Sequence, residues 1–209
     1  MKEKELNTQE SMSIITEMIE RSKTRRMIGD GNILLLWGYL TVGVAALVWT
    51  LLVITRHPAV NWFWFLIWII GGIASPILTR KQRNQSGVTT YTDKLCNALW
   101  AFVGYCAIAL TIISLGFFFI VGKDSWSAFL MYPFLIVGFA ETIQGVIMRE
   151  QSMVWGGAIG VLAGLFTICC ISAGQTLIAS WFMPMFIISF TAMMIIPGHI
   201  LNYKSRKEQ

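Results

Sequence analysis

The chain has 209 residues, of which 56% are apolar or aromatic even before its 18 glycines are added, and only 13% are charged. A soluble domain averages about 45–50% apolar with glycine included and about 25% charged. A chain of this length cannot bury so much apolar surface and keep a wettable exterior, so a soluble globular enzyme is excluded, as are disordered, collagen-like and disulfide-scaffold chains. The net charge of +5 invites a nucleic-acid interpretation, but basic residues on cytoplasmic loops orient membrane proteins and explain it better. No nucleic-acid partner is expected; the lipid bilayer is.

Residues 1–30 are polar, and Thr8 to Met27 read as a cytoplasmic amphipathic helix. Thr8 can cap its start, Glu10 stands in the first turn, and Arg21, Lys23, Arg25 and Arg26 gather toward its end, the favourable sense for the helix dipole. Met12, Ile15 and Ile19 share one face, and Gly29-Asp30-Gly31 ends the helix. Such a helix either lies on the inner leaflet or docks a cytoplasmic partner or second protomer through residues 8–27. So polar a start, with no small-residue cleavage site after a short apolar run, does not read as a signal peptide.

Windows of about 20 apolar residues read as membrane-spanning helices. Six follow, at Ile33–Ile54, Asn61–Thr79, Cys96–Val121, Ser127–Met148, Met153–Ser172 and Leu177–His199. The expected fold is an all-α integral membrane bundle over residues 31–201, with a basic cytoplasmic tail at 202–209. Arg56-His57-Pro58, Gly122-Lys123-Asp124 and the four residues Arg149 to Ser152 are turn-like connectors, and such short links make neighbouring helices antiparallel. Of the 16 Lys and Arg residues, 14 fall on one side of the membrane; Arg56 and Lys123 alone fall on the other. That asymmetry predicts cytoplasmic termini. Eight of the nine tryptophans fall near span ends, as an interfacial belt requires; Trp68 alone lies deep. Odd spans begin Trp37-Gly38, Trp100-Ala101 and Trp155-Gly156, and even spans end in small-residue groups at Ser75, Gly145 and Gly198. This pattern allows three successive helical hairpins of one kind.

Glu141 is the one ionisable residue well inside a span, seven residues from the end of the fourth, or roughly 10 Å deep at a rise of 1.5 Å per residue. A carboxylate there costs several kcal/mol unless paired, hydrated or protonated. Gln144 follows at i+3 and Arg149 at i+8. The three form a candidate ion, proton or polar intramembrane site, or else Glu141 makes a buried structural hydrogen bond to another helix. Gly156, Gly160 and Gly164 repeat every fourth residue and read as a helix-packing face, inside the bundle or between protomers of a homo-oligomer. Pro133 and Pro184 interrupt spans four and six and bend them. Cys96, Cys106, Cys169 and Cys170 read as buried thiols, and His57 and His199 stand on opposite sides of the membrane. No metal, cofactor or catalytic motif is expected.

Taken together, several strings resemble a known family. They are Asn7-Thr8-Gln9-Glu10-Ser11, then Gly31-Asn32 running into Leu35-Leu36-Trp37-Gly38-Tyr39-Leu40, Tyr91-Thr92-Asp93, and Ile195-Ile196-Pro197-Gly198-His199. The chain resembles, over nearly its whole length, a family of small, uncharacterised six-span inner-membrane proteins of Bacteroides-type bacteria. Relatives in that family often lie beside a small winged-helix transcription regulator, so the resemblance implies a signalling or stress context and brings no catalytic residues.

Two functions lead, and a third, a membrane enzyme acting on lipid, has no catalytic motif to carry it. One is a non-enzymatic accessory, sensor or scaffold protein. The other is a small channel or an ion- or proton-coupled transporter whose path Glu141 and Gln144 line. A water-accessible cavity reaching Glu141 would favour the second.

Overall fold

The computed structural model describes residues 12–14, 16–17, 30–86, 91–123, 125–177 and 179–207. Every regular element among them is helical. Six helices are long and apolar enough to cross a membrane: Gly31–Thr55, Pro58–Arg80, Tyr91–Val121, Trp126–Met148, Gln151–Ser172 and Ser180–Lys207, spans one to six. The chain is thus an all-α six-helix membrane bundle whose apolar outer faces contact lipid. Of the amphipathic helix expected over 8–27, residues 12–14 and 16–17 are helical; its other residues lie outside those described.

The expected windows sit within these helices apart from local shifts. Span three begins earlier, at Tyr91. Leu177 is not in span six, because the chain turns at Gly174 in the left-handed region (φ 71°) and the next helix starts at Ala179. Residues 202–207, expected as a separate tail, instead continue that helix to Lys207. Burial of Leu201 and Ser205 anchors the extension, and the Lys207 ammonium stands 4.7 Å from the centre of the Tyr203 ring.

Around the bundle the spans follow the order two, one, six, five, four, three, each packed on the next. Hairpin partners therefore meet, but the most extensive packing joins spans four and five, which belong to different hairpins. The start of span one and the end of span six share one end of the bundle. There Asn202 Nδ2 donates to Asn32 Oδ1 at 2.8 Å, and Tyr39 and His199 share a hydrogen bond of 2.7 Å. This is called the terminal end below, and the opposite one the distal end.

Helices in lipid gain little from hydrophobic association, so they pack by close backbone approach at small residues. A Cβ on Gly157 would lie 2.6 Å from the Thr142 nitrogen; one on Gly145, 2.7 Å from the Val154 nitrogen; one on Gly138, 2.9 Å from the Gly157 oxygen. Spans four and five thus touch backbone to backbone. Gly156 and Gly160 receive Met193 of span six, and Gly164 receives Leu135 and Phe134 of span four. The glycine row on span five works inside the bundle. Gly31 and Gly198 bring spans one and six together in the same way. Phe134, Phe182, Phe186 and Phe190 fill the centre, all at most 1% exposed. Phe186 and Phe190 stack with centroids 4.6 Å apart.

Spans two and three are held more loosely. A Cβ on Gly72, Gly104 or Gly116 would meet nothing within 4 Å. Only 11% and 17% of their apolar windows are buried, against 50% for span six. Gly157→Ala should therefore destabilise the bundle by about 1–3 kcal/mol through overpacking, whereas Gly72→Ala should leave stability unchanged or raise it by up to about 1 kcal/mol. Unfolding midpoints in detergent measure both. Equal midpoints for Gly157→Ala and wild type would contradict the backbone contact.

Candidate functional site

Because spans two and three stand apart from the tight core, a cavity of about 350 Å³ opens between them. That lies within the range of about 300–1,000 Å³ common for small-molecule sites. Ile33, Leu34, Trp37 and Thr41 of span one form its back. Trp64, Ile67, Trp68, Ser75 and Thr79 of span two form one side, and Cys96, Asn97, Trp100, Val103 and Gly104 of span three the other. Span four contributes Tyr132, Pro133, Val137 and Gln144, and span six Phe186, Phe190 and Met194. At its distal end the cavity meets an aromatic cluster. Trp62 of span two contacts Phe118 of span three and Trp126 of span four, with centroids 5.8 Å apart in each case, and Phe65 contacts Phe129 at the same spacing. Of the polar lining groups, Ser75, Thr79, Asn97 and Gln144 sit toward the terminal end, Thr41 near the middle of span one, and Tyr132 toward the distal end. No charged residue lines the cavity among those described.

Two side-chain hydrogen bonds tie span three to span four along this wall. Tyr132 Oη donates to the Val103 carbonyl. Trp100 Nε1 donates to Gln144 Oε1 at 2.7 Å. An indole N–H can only donate, so this bond fixes which end of the Gln144 amide faces span three. The amide nitrogen then points to Met148 Sδ at 3.4 Å, a weak acceptor. Pro133 opens a π-helical turn, Pro133–Val137, and such turns recur at functional sites. Pro184, inside span six, is not on the lining.

Glu141, Gln144 and Arg149 do not come together. Gln144 lines the cavity, and Glu141 does not. Three residues on a helix of 3.6 per turn leave a rotation of roughly 60° between their side chains, enough to separate these two. Glu141 is 0% exposed, and neither carboxyl oxygen has a hydrogen-bond partner among the described residues. Glu141 thus stands off the lining of this cavity, and it makes no interhelical hydrogen bond among the described residues. Arg149 caps span four in the left-handed region (φ 58°) with its side chain exposed, and it does not reach the carboxyl.

The structure adds pairings that sequence spacing did not suggest. Glu150, buried in the turn between spans four and five, accepts from Lys204 Nζ at 2.6 Å. This ion pair links residues far apart in the chain, and no local pattern announces it. Trp37, Trp64 and Trp100 read as belt residues but wall the cavity, as does Trp68, the tryptophan that does not fit the belt. His57 Nδ1 accepts from the Ala59 amide at the distal turn, far from His199. No cluster of three or more metal-ligating side chains occurs among the described residues.

Trp100→Phe leaves Gln144 Oε1 without its donor and should destabilise the bundle by about 1–3 kcal/mol. Adding Gln144→Leu should recover part of that loss. A double-mutant cycle giving no coupling between the two positions would contradict the bond. Comparison of the chain with protein-family models, curated proteins and solved structures finds no match, and the geometry of the cavity is therefore the basis for the functional reading.

Proposed function

We propose that this chain is a non-enzymatic inner-membrane sensor or accessory protein, with cytoplasmic termini and a bundle that responds to a ligand held in its cavity. The observation that carries this is the cavity itself: it is uncharged, meets an aromatic cluster at its distal end, and leaves Glu141 outside its lining. An ion path needs charged or strongly polar lining that continues across the membrane. An apolar pocket with a few polar groups at one end is instead the usual form of a small-molecule site.

The orientation is supported by the 14 of 16 basic residues on one side. Cytoplasmic termini would make the terminal end, where spans one and six and the turn at Glu150 are bonded together, the face offered to a cytoplasmic partner. Residues 8–27 would supply the docking helix. The resemblance of the sequence to a Bacteroides-type six-span family agrees with such a signalling role.

The alternative, a small channel or ion- or proton-coupled transporter, draws its support from the buried, unpartnered Glu141. Proteoliposomes separate the two. Purified protein should give no proton or potassium flux above that of protein-free vesicles, for wild type and Glu141→Gln alike. Flux that is present in wild type and lost in Glu141→Gln would replace the sensor with the transporter.

A further inference from the structure

Two polar groups on the cavity wall lack a full set of partners. Gln144 is 3% exposed. Its oxygen is occupied by Trp100, while the partner of its amide nitrogen is the Met148 thioether. An NH2 group carries two donors, so at least one has no strong acceptor. Ser75 Oγ, on the facing wall, is buried with no hydrogen-bond partner. Buried polar groups almost always find a partner, and leaving one unmet carries the full desolvation penalty. Gln144 and Ser75 both line this one cavity, toward its terminal end. Deeper in, the lining becomes aromatic and aliphatic, with Trp64, Phe186 and Phe190 at the bottom.

That polarity gradient specifies an occupant. A head group must accept a hydrogen bond from Gln144 and exchange one with Ser75. It must be uncharged, since no ionised residue on the lining among those described could neutralise it and an isolated buried charge is costly. Its remainder must be apolar and long enough to run toward the distal aromatic cluster. Entry from the bilayer would pass between spans two and three, whose apolar windows are the least buried of the bundle, beside Gly104, which lines the cavity and whose Cβ would meet nothing within 4 Å. We infer that the cavity binds a neutral single-chain amphiphile drawn from the bilayer, its carbonyl, ester or hydroxyl head between Gln144 and Ser75 and its chain against the tryptophans and phenylalanines. This deepens the sensor proposal above and rests on it.

The test uses the full chain in phosphatidylcholine nanodiscs and a monoacylglycerol carrying a photoreactive chain. Labelling should saturate, be competed by unlabelled monoacylglycerol, and map to spans two, three and six. The carboxylic acid with the same chain should compete at least about tenfold less well. Ser75→Ala should weaken labelling by about three- to tenfold, the range of one net hydrogen bond. Gly104→Leu should abolish it by filling the mouth, while Gly43→Leu, also at an open position but off the cavity, should not change it. Labelling that does not saturate, that spreads over the lipid-facing surface, or that survives Gly104→Leu would overturn the inference. Equal competition by the charged acid would overturn it too. Failed labelling in a protein without flux removes the amphiphile and leaves the sensor standing. Flux that depends on Glu141 removes the sensor itself.

Discussion

The bundle depends on the backbone contact between spans four and five. In a bilayer the lipid tails are as apolar as any leucine, so two helices gain by meeting only where their surfaces fit closely. Gly138 and Gly145 on one helix and Gly157 on the other remove the side chains that would hold them apart. Gly156 and Gly160 then admit Met193 of span six, and Gly31 and Gly198 repeat the device between spans six and one. Four of the six spans thereby form a compact core. Spans two and three have glycines as well, but Gly72, Gly104 and Gly116 face open space, so these two helices attach by side chains rather than by backbone.

The cavity follows from that inequality. Trp37 of span one rests against Gly71 of span two, which keeps span two leaning on the core while its far edge remains free. Tyr132 and Gln144 reach out from span four to hold span three. The aromatic cluster of Trp62, Phe65, Phe118, Trp126 and Phe129 joins the loose helices at the distal end. Toward the terminal end no such aromatic cluster joins them among the described residues, and the cavity lining there carries Ser75, Asn97 and Gln144. The bonds that close the terminal end, Asn32 to Asn202 and Glu150 to Lys204, both belong to this compact core. A ligand that pulled span two toward span three would therefore move loose helices against a fixed platform, which is the arrangement a sensor needs.

The spans themselves were legible because a membrane demands length and apolarity, and both are written locally. The glycine row Gly156, Gly160 and Gly164 was legible as a packing face for the same reason. Which helices would fail to meet was not legible, since that depends on what each glycine faces across the bundle. Gly104 and Gly157 look alike in sequence and behave in opposite ways. Glu141 drew attention as a buried acid, and Gln144 only as its neighbour. A rotation of one side-chain position reversed their importance for the cavity. Ser75 read as a small packing residue, and nothing near it in the chain marks its hydroxyl as unpartnered.

The most direct measurement is a high-resolution density map of the full chain in lipid nanodiscs, inspected between spans two and three. The structure predicts spans four and five in backbone contact at Gly138 and Gly157, Glu141 sealed from solvent, and elongated density between the Gln144 amide and the Phe186 ring. Spans two and three closed on each other along their whole length, or a water-filled path reaching Glu141, would contradict it.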